Sequence, residues 1–355
     1  MINCFSTLGG NILSSVLYIV LAVLVLLLMV LIHELGHYTD GRILKFKIEE
    51  FSVGFGKAIF SKTNKRGEKI SLRIFPLGGY CAFKGEGTEK DDSDPEAFVN
   101  QKPWKRIIVL FMGAFFNFLS AIIFSFILLV SFGYDIKVVD TLSPDSINTN
   151  LQKGDIIWEV NDEKVDFAFS GTMQELVAKH KNEEGVTLTI ERNGEIRKEY
   201  CRFYDITNAD GSTTRAIGIQ TVSTYRYSFG KALLRAVPMA VGFAWLVLKS
   251  LWLLITFQIP ITALGGTITT ISVMAEATSA NIANLFIFLP LIAANLAMFN
   301  LLPFPALDGA HILFTTIEWI RKKPINRKVE NMIHTIGLFV LLAFVVVVDI
   351  IHFVV

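Results

Sequence analysis

The chain has 355 residues, 52% of them hydrophobic and 18% charged, with a formal net charge of +1 and a mean hydropathy of +0.50. That is too apolar for an ordinary soluble protein and too charged for a helical bundle without a soluble part, and the near-neutral balance gives no support to nucleic-acid binding. Cys4, Cys81 and Cys201 lie far apart with no C-x-x-C pair, so they suggest neither a disulfide framework nor a thiolate metal site.

The first predicted element is the apolar run Leu13–Ile32, long enough to cross a bilayer as a helix. It lacks a basic start, is too long for a signal peptide and has no small-residue cleavage site, so it is expected to remain as a membrane helix. It ends in His33-Glu34-Leu35-Gly36-His37. On a helix, His33 and His37 stand at i and i+4 on one face. Two imidazoles so placed can share one zinc, with Glu34 beside them as general base. An ionisable residue costs roughly 2.5–3.5 kcal/mol at the centre of a membrane helix. Three in five residues at the end of such a span therefore call for a function.

The polar stretch Gly41–Pro103 contains strand-like pieces, Phe51–Phe60 and Lys69–Phe75, around the turn-rich Lys62–Gly67. Lys69–Phe83 includes Phe75, Gly78 and Gly79. It is apolar at one end and glycine-rich, as a hairpin touching a membrane would be; a plain cytoplasmic hairpin is the other reading. Asp91–Pro95 reads as a solvated acidic loop. A second span is predicted at Ile107–Phe132. The region 135–222 reads as a small soluble α/β domain, with short β-branched runs around one helix near Met173–Lys181. Ala232–Phe257 is apolar but interrupted by Arg235, Pro238 and Lys249. Further spans are predicted at Ile282–Leu302 and Ile336–Val355, with no internal repeat of the kind common in transporters.

Charge sets the expected topology. Lys and Arg concentrate in Gly41–Pro103 and in Arg321–Lys328, which places both on the cytoplasmic side. Region 135–222 then lies outside, and only one span can intervene before Arg321, or three. Ile282–Leu302 is the cleanest candidate, so Ala232–Phe257 is expected to lie in or dip into the outer leaflet. The expectation is four transmembrane helices.

Catalytic zinc needs three protein ligands and an open position. The third span closes with Asn300-Leu-Leu-Pro303-Phe-Pro305-Ala-Leu307-Asp308-Gly309, at the same depth as His37. Pro303 and Pro305 must end the helix and free Asp308 to turn into the bundle. Taken alone, Asp308 reads as the N-cap of a helix over Ala310–Ile320. Beside the histidine pair it reads as the third ligand.

These two motifs together resemble the site-2 protease family of intramembrane zinc metalloproteases. The resemblance runs over the whole chain and is closest to the bacterial branch of the regulator of sigma-E protease. Its His-Glu-x-x-His matches His33, Glu34 and His37. Its Asn-x-x-Pro-x-Pro-x-Leu-Asp-Gly matches Asn300, Pro303, Pro305, Leu307, Asp308 and Gly309. Leu151–Asn161 is similar to the Gly-Asp-x-Ile-x-x-Val-Asn-Gly of a PDZ domain, with Asp162 in place of the final glycine. The family's Gly-Pro-x-x-Asn appears as Gly113-Ala-Phe-Phe-Asn117, without the proline.

The resemblance implies a polytopic α-helical membrane protein with four transmembrane helices, a membrane-associated β-sheet and one extracytoplasmic PDZ domain. Segments 1–40 (first helix, zinc motif), 41–104 (cytoplasmic β region), 105–134 (second helix), 135–222 (PDZ domain), 223–281 (membrane-interfacial segment) and 282–355 (third and fourth helices, third ligand) follow. It implies Zn2+ held by His33, His37 and Asp308, catalysis by Glu34, and substrate handling by Asn300 and by the strand carrying Phe75, Gly78 and Gly79. The substrates would be single-span membrane proteins trimmed beforehand by another protease, such as anti-sigma factors, or signal-peptide remnants. The place would be the bacterial inner membrane, with the active site near the cytoplasmic side and no nucleic-acid partner. For Asn117 an interhelical hydrogen bond is the expectation. The competing function is a metal-ion transporter, to which Glu34 has less to offer.

Overall fold

The structure is a computed structural model that describes residues 2–86, 94–134, 136–143, 146–166, 170–207, 213–223, 225–261 and 264–354. Most of the expected acidic loop Asp91–Pro95 lies outside the described residues. The chain divides into two compact units, Met1–Ile122 with Val247–Val355, and Ile123–Leu246.

Among the described residues, five helices are long and apolar enough to cross a membrane: Ser15–Ile43, Pro103–Ser131, Phe229–Ile255, Ala283–Asn300 and Arg327–His352. This adds one candidate to the four spans expected. The added helix is α4 (Phe229–Ile255), which continues through Pro238, Arg235 and Lys249 without a break. Those residues interrupt the hydropathy but not the helix, because a proline's lost bond and ring clash can be absorbed by a local bend. The protein is a multi-pass membrane protein.

In the first unit, α1 (Ile2–Ile43) runs six residues past His37, further than the apolar run suggested. The helix α2 (Pro103–Ser131) approaches it closely. A Cβ on Gly36 would fall 2.3 Å from the Met112 carbonyl oxygen, so only glycine lets the two backbones come this near. His37 Nδ1 lies 2.8 Å from the Val109 carbonyl oxygen, which joins the C-terminal part of α1 to the N-terminal part of α2. Helix α6 (Ala283–Asn300) also ends at this level, since Asn300 reaches His33. Helix α8 (Arg327–Val354) begins near it, since His334 reaches Ala306. The C-termini of α1 and α6 and the N-termini of α2 and α8 therefore gather at one end.

That end is tied by a buried charge network absent from the sequence reading. Arg106 of α2 donates to Glu318 at 2.7 Å, and Glu318 also pairs with Arg327 at 2.9 Å. Glu318 sits on α7 (Asp308–Arg321) and accepts from the Ile325 N–H as well. A carboxylate this buried requires such partners, because an unpaired one costs several kcal/mol. At the far end of α8, Asp349 accepts from the Ile268 and Thr269 N–H groups, at 3.1 and 3.0 Å. It thereby caps α5 (Thr267–Ala280), whose own N-cap, Gly266, has no side chain to do so.

The β region is two bent strands, β1 (Ile48–Thr63) and β2 (Lys69–Phe83), which fold into four short segments. Gly54 and Gly56, both at φ 85°, bend β1, and Gly78 at φ 146° bends β2. Segment 79–83 pairs with 48–53, from Val53 opposite Gly79 to Ile48 opposite Phe83. Segment 50–53 also lies along 69–72, and 58–63 pairs with 69–73. Tyr80–Phe83 is consequently an edge, with one side paired to β1 and no strand among the described residues on the other.

The second unit is a compact β domain. Its sheet has the strand order β10 (Ile219–Val222), β3 (Lys137–Leu142), β4 (Ile156–Val160), β6 (Gly185–Arg192), β7 (Glu195–Arg202), with β5 (Glu163–Lys164) beside β4. A small hairpin, β8 (Tyr204–Thr207) and β9 (Thr213–Ala216), completes it. Helix α3 (Met173–Lys179) opens with a capping box between Thr172 and Glu175 and contributes Met173 and Leu176 to a core with Ile157, Leu188 and Ile190. The turn at Asp162 adopts φ 64°, so the missing glycine is accommodated by a left-handed aspartate.

Candidate metal centre

Helical spacing stacks His33 and His37, and both are buried. The chain from Asn300 to Asp308 brings a carboxylate to them. His33 Nε2 lies 3.1 Å from His37 Nε2 and 3.0 Å from Asp308 Oδ2, and His37 Nε2 lies 3.4 Å from the same oxygen. Ligands on a tetrahedral ion with bonds of about 2.0–2.1 Å are about 3.3 Å apart, so this triangle has the size of one face of such an ion. Asp308 Oδ2 is buried with no hydrogen-bond donor. A cation is what three converging lone pairs in a buried place require. These residues fit zinc. The competing role for Asp308 is not seen, because the N-cap of α7 is Leu307 and no side chain caps it.

The far nitrogens of both rings are held. His37 Nδ1 meets the Val109 carbonyl, so Nδ1 carries the proton and Nε2 presents its lone pair. His33 Nδ1 lies 3.4 Å from the Asn117 amide and 3.3 Å from the Asn300 amide. Asn117 Oδ1 is buried without a donor. Turning the Asn117 amide over satisfies that oxygen and gives His33 an acceptor for an Nδ1 proton, leaving Nε2 as ligand. The expected interhelical bond of Asn117 thus falls on a candidate ligand, and Asn300, expected to handle substrate, contacts the same ring.

A cavity of about 350 Å³ opens onto this group, lined by His33, Glu34, His37, Asp308 and the edge residues Tyr80–Phe83. The Cys81 backbone N–H bonds to the Glu34 carboxylate, and a Cβ on Gly79 would lie 3.4 Å from Glu34 Cγ. The Phe83 N–H donates to Glu86, a further lining residue the sequence gave no reason to choose. Of the expected strand residues, Gly79 is at the site. Phe75 and Gly78 do not line this cavity: Phe75 is 59% exposed, and Gly78 packs on the Phe55 ring. The bend at Gly78 turns the chain, so it is the segment after it that faces the zinc ligands. Gly113 of α2 was noted only for its missing proline neighbour. A Cβ there would fall 2.4 Å from His37 Nε2 and 2.7 Å from His33 Cε1.

Among the described residues a second group, His311, Glu330 and His334, has its ligand atoms within 4.8 Å of one another. Its geometry opposes a shared ion. The His311 and His334 rings are stacked at 3.7 Å with planes 8° apart. A metal bonds in the plane of an imidazole, and two parallel planes have no common point. Glu330 is engaged with Arg327 at 2.7 Å.

Fold and site together define a membrane-embedded zinc peptidase. A sequence pattern described as Peptidase family M50 matches residues 21–344. A protein of Helicobacter pylori strain J99, named as a zinc metalloprotease, is 31% identical over 337 residues, 90% of this chain and 94% of that one. Similarly named proteins of Clostridium perfringens and Campylobacter jejuni are 30% and 29% identical, covering 94% and 90% of this chain and 98% and 89% of theirs. The chain belongs to peptidase family M50, and zinc is its cofactor.

Proposed function

We propose that this protein hydrolyses peptide bonds within or near the membrane segments of single-span proteins, on the pattern of the bacterial regulator of sigma-E protease. The observation that carries the reading is the open strand edge Tyr80–Phe83 lining the same cavity as His33, Glu34, His37 and Asp308. A transmembrane helix satisfies its own amides, so its scissile carbonyl is available only after the helix opens locally. Opening frees N–H and C=O groups that a strand edge with no second strand beside it can receive by β-augmentation. Asn300 is a further polar group, beside the His33 ring.

His33, His37 and Asp308 would hold the zinc, which supplies Lewis-acid polarisation of the carbonyl and of the attacking water. Glu34 accepts the water's proton and returns it to the departing amine. The Cys81 N–H orients the Glu34 carboxylate for this, and a single carboxylate serves both transfers. Val109 and Asn117 keep the histidine lone pairs aimed inward.

Helix directions support four membrane crossings. In the first unit α2 leaves the His33 end and α6 arrives at it, so the intervening chain crosses an even number of times. Among the described residues α4 is the one candidate span in that interval, and a single crossing there would break this parity. The positive charge of Gly41–Pro103 and of Arg321–Lys328 supports a site near the cytoplasmic face and a β domain outside. Single cysteines placed at Ser61 and Lys323 in a Cys-free protein should be shielded from an impermeant thiol reagent in intact cells, and one at Asn193 should label. Labelling at Lys323 would overturn this topology.

The outer β domain, with its Gly154-Asp155-x-Ile-x-x-Val160-Asn161 turn and strand, is read as a PDZ domain that screens substrates with bulky ectodomains. The test of the whole reading is cleavage in detergent by purified protein. Single-span proteins truncated outside should yield a cytoplasmic fragment, zinc chelation should stop this, and zinc should restore it. A zinc-loaded protein that cleaves none of a panel of such substrates would remove the protease reading in favour of metal transport.

A further inference from the structure

The loop that delivers Asp308 has an unusual backbone. Ala306, two residues before the ligand, is at φ 82°, a left-handed value that costs an L-residue about 1–2 kcal/mol. Its surroundings account for its persistence. The Ala306 N–H donates to His334 Nδ1 at 3.0 Å. One turn further along α8, Gly337 lets Pro305 seat directly on the helix: a Cβ at 337 would fall 2.3 Å from Pro305 Cβ and 2.8 Å from its carbonyl oxygen. Below the turn, the Leu307 N–H bonds to the Phe304 carbonyl and the Ala310 N–H to Leu307. Gly309 packs against the Leu301 and Leu302 carbonyl oxygens. The turn is fixed from α8 on one side and from the end of α6 on the other.

The His334 ring is itself immobilised, stacked on His311 and met edge-on by Phe314 at 5.5 Å. Because Nδ1 accepts from Ala306, the proton of the neutral ring is on Nε2, so Nε2 has no lone pair for a metal. The group that could be taken for a second metal site is therefore doing something else.

We propose that His334 is a positioning residue for the third zinc ligand: it holds Ala306 in its left-handed conformation and thereby places the Asp308 carboxylate against His33 and His37. The proposal rests on the zinc-peptidase reading of the site. His334 touches neither substrate nor metal. It acts through one backbone hydrogen bond, and this separates a positioning role from simple packing. Asparagine carries an acceptor at the same number of bonds from Cα as His Nδ1. Leucine fills similar space with none.

The experiment compares zinc retention against a competing chelator, cleavage, and thermal stability for wild type, His334→Leu and His334→Asn, and repeats His334→Leu in an Ala306→Gly background. Outer-sphere partners of metal sites typically contribute about 10–100-fold to metal affinity. His334→Leu should lose zinc at least about tenfold more readily, and His334→Asn should recover most of that loss. Ala306→Gly should also rescue His334→Leu, since glycine adopts positive φ without a brace. Rescue by glycine is not expected of a role that is only packing, and it holds even where the leucine variant is less stable. A His334→Leu protein with wild-type zinc retention overturns the proposal, as does failure of both Asn and Gly to rescue. A wild type that retains no zinc would instead sink the metal centre on which the proposal stands.

Discussion

Glu34→Gln protein should retain zinc at the wild-type level and lose cleavage by about 10²–10⁴-fold, the usual contribution of a positioned general acid–base group. The amide has the shape of the carboxylate and can still lie against the Cys81 N–H. It has no basic site to receive a proton at neutral pH. Glu34 is outside the triangle formed by His33 Nε2, His37 Nε2 and Asp308 Oδ2, so its change leaves the proposed ligand set intact. Metal analysis of the purified protein and turnover of a truncated single-span substrate measure the two quantities separately. Turnover near wild type would remove the assigned role. His37→Ala and Asp308→Ala should behave in the opposite way, with zinc and activity falling together.

The second large effect is expected at a residue with no functional group. Gly113→Ala adds one methyl at a point 2.4 Å from His37 Nε2 and 2.6 Å from His37 Cε1. Neither ring can move away freely, since His37 is tethered through Nδ1 to Val109 and His33 is hemmed by Asn117 and Asn300. Alanine is the better helix former by about 1 kcal/mol, so α2 gains in local preference while the ligand geometry is lost. Zinc retention should fall by about 10–100-fold, as for other disturbances next to a metal site, and cleavage with it, while helix content by circular dichroism is unchanged. Full zinc occupancy and activity in Gly113→Ala would mean that α1 and α2 lie further apart than described.

What was readable beforehand was local. His33 and His37 share a face through helical periodicity alone, and Pro303 and Pro305 announce the break that frees Asp308. What was not readable depends on approach across long stretches of chain. Val109 is separated from His37 by 72 residues, Asn117 from His33 by 84, and Asn300 from His33 by 267. No short pattern records such pairings, although Gly113 and Asn117 did stand in a noticed motif. Of the stretch Lys69–Phe83, in which Phe75, Gly78 and Gly79 were singled out, it is Tyr80–Phe83 that lines the cavity, because composition marks where a strand is apolar and not which side of a bend it faces. Helix α4 was expected at the outer face from the parity of crossings; its Pro and basic residues hid how long and apolar a helix it is, because they disturb hydropathy more than backbone geometry. Strand β7, Glu195–Arg202, escaped notice because its side chains are mostly exposed and charged, so it lacks the apolar alternation that identifies a strand.

The edge Tyr80–Phe83 has a consequence for how substrates of such an enzyme would differ from one another. Main-chain groups are the same in every protein, so a strand edge distinguishes poorly between side chains. On the proposed function, selection would then pass to the energy needed to unravel a helix in lipid. A substrate would be marked by a weak turn, a glycine or a proline near the membrane boundary, and not by a consensus around the cut. Replacing side chains on either side of the scissile bond should be tolerated, whereas stiffening one helical turn should protect a protein whose sequence is otherwise unchanged.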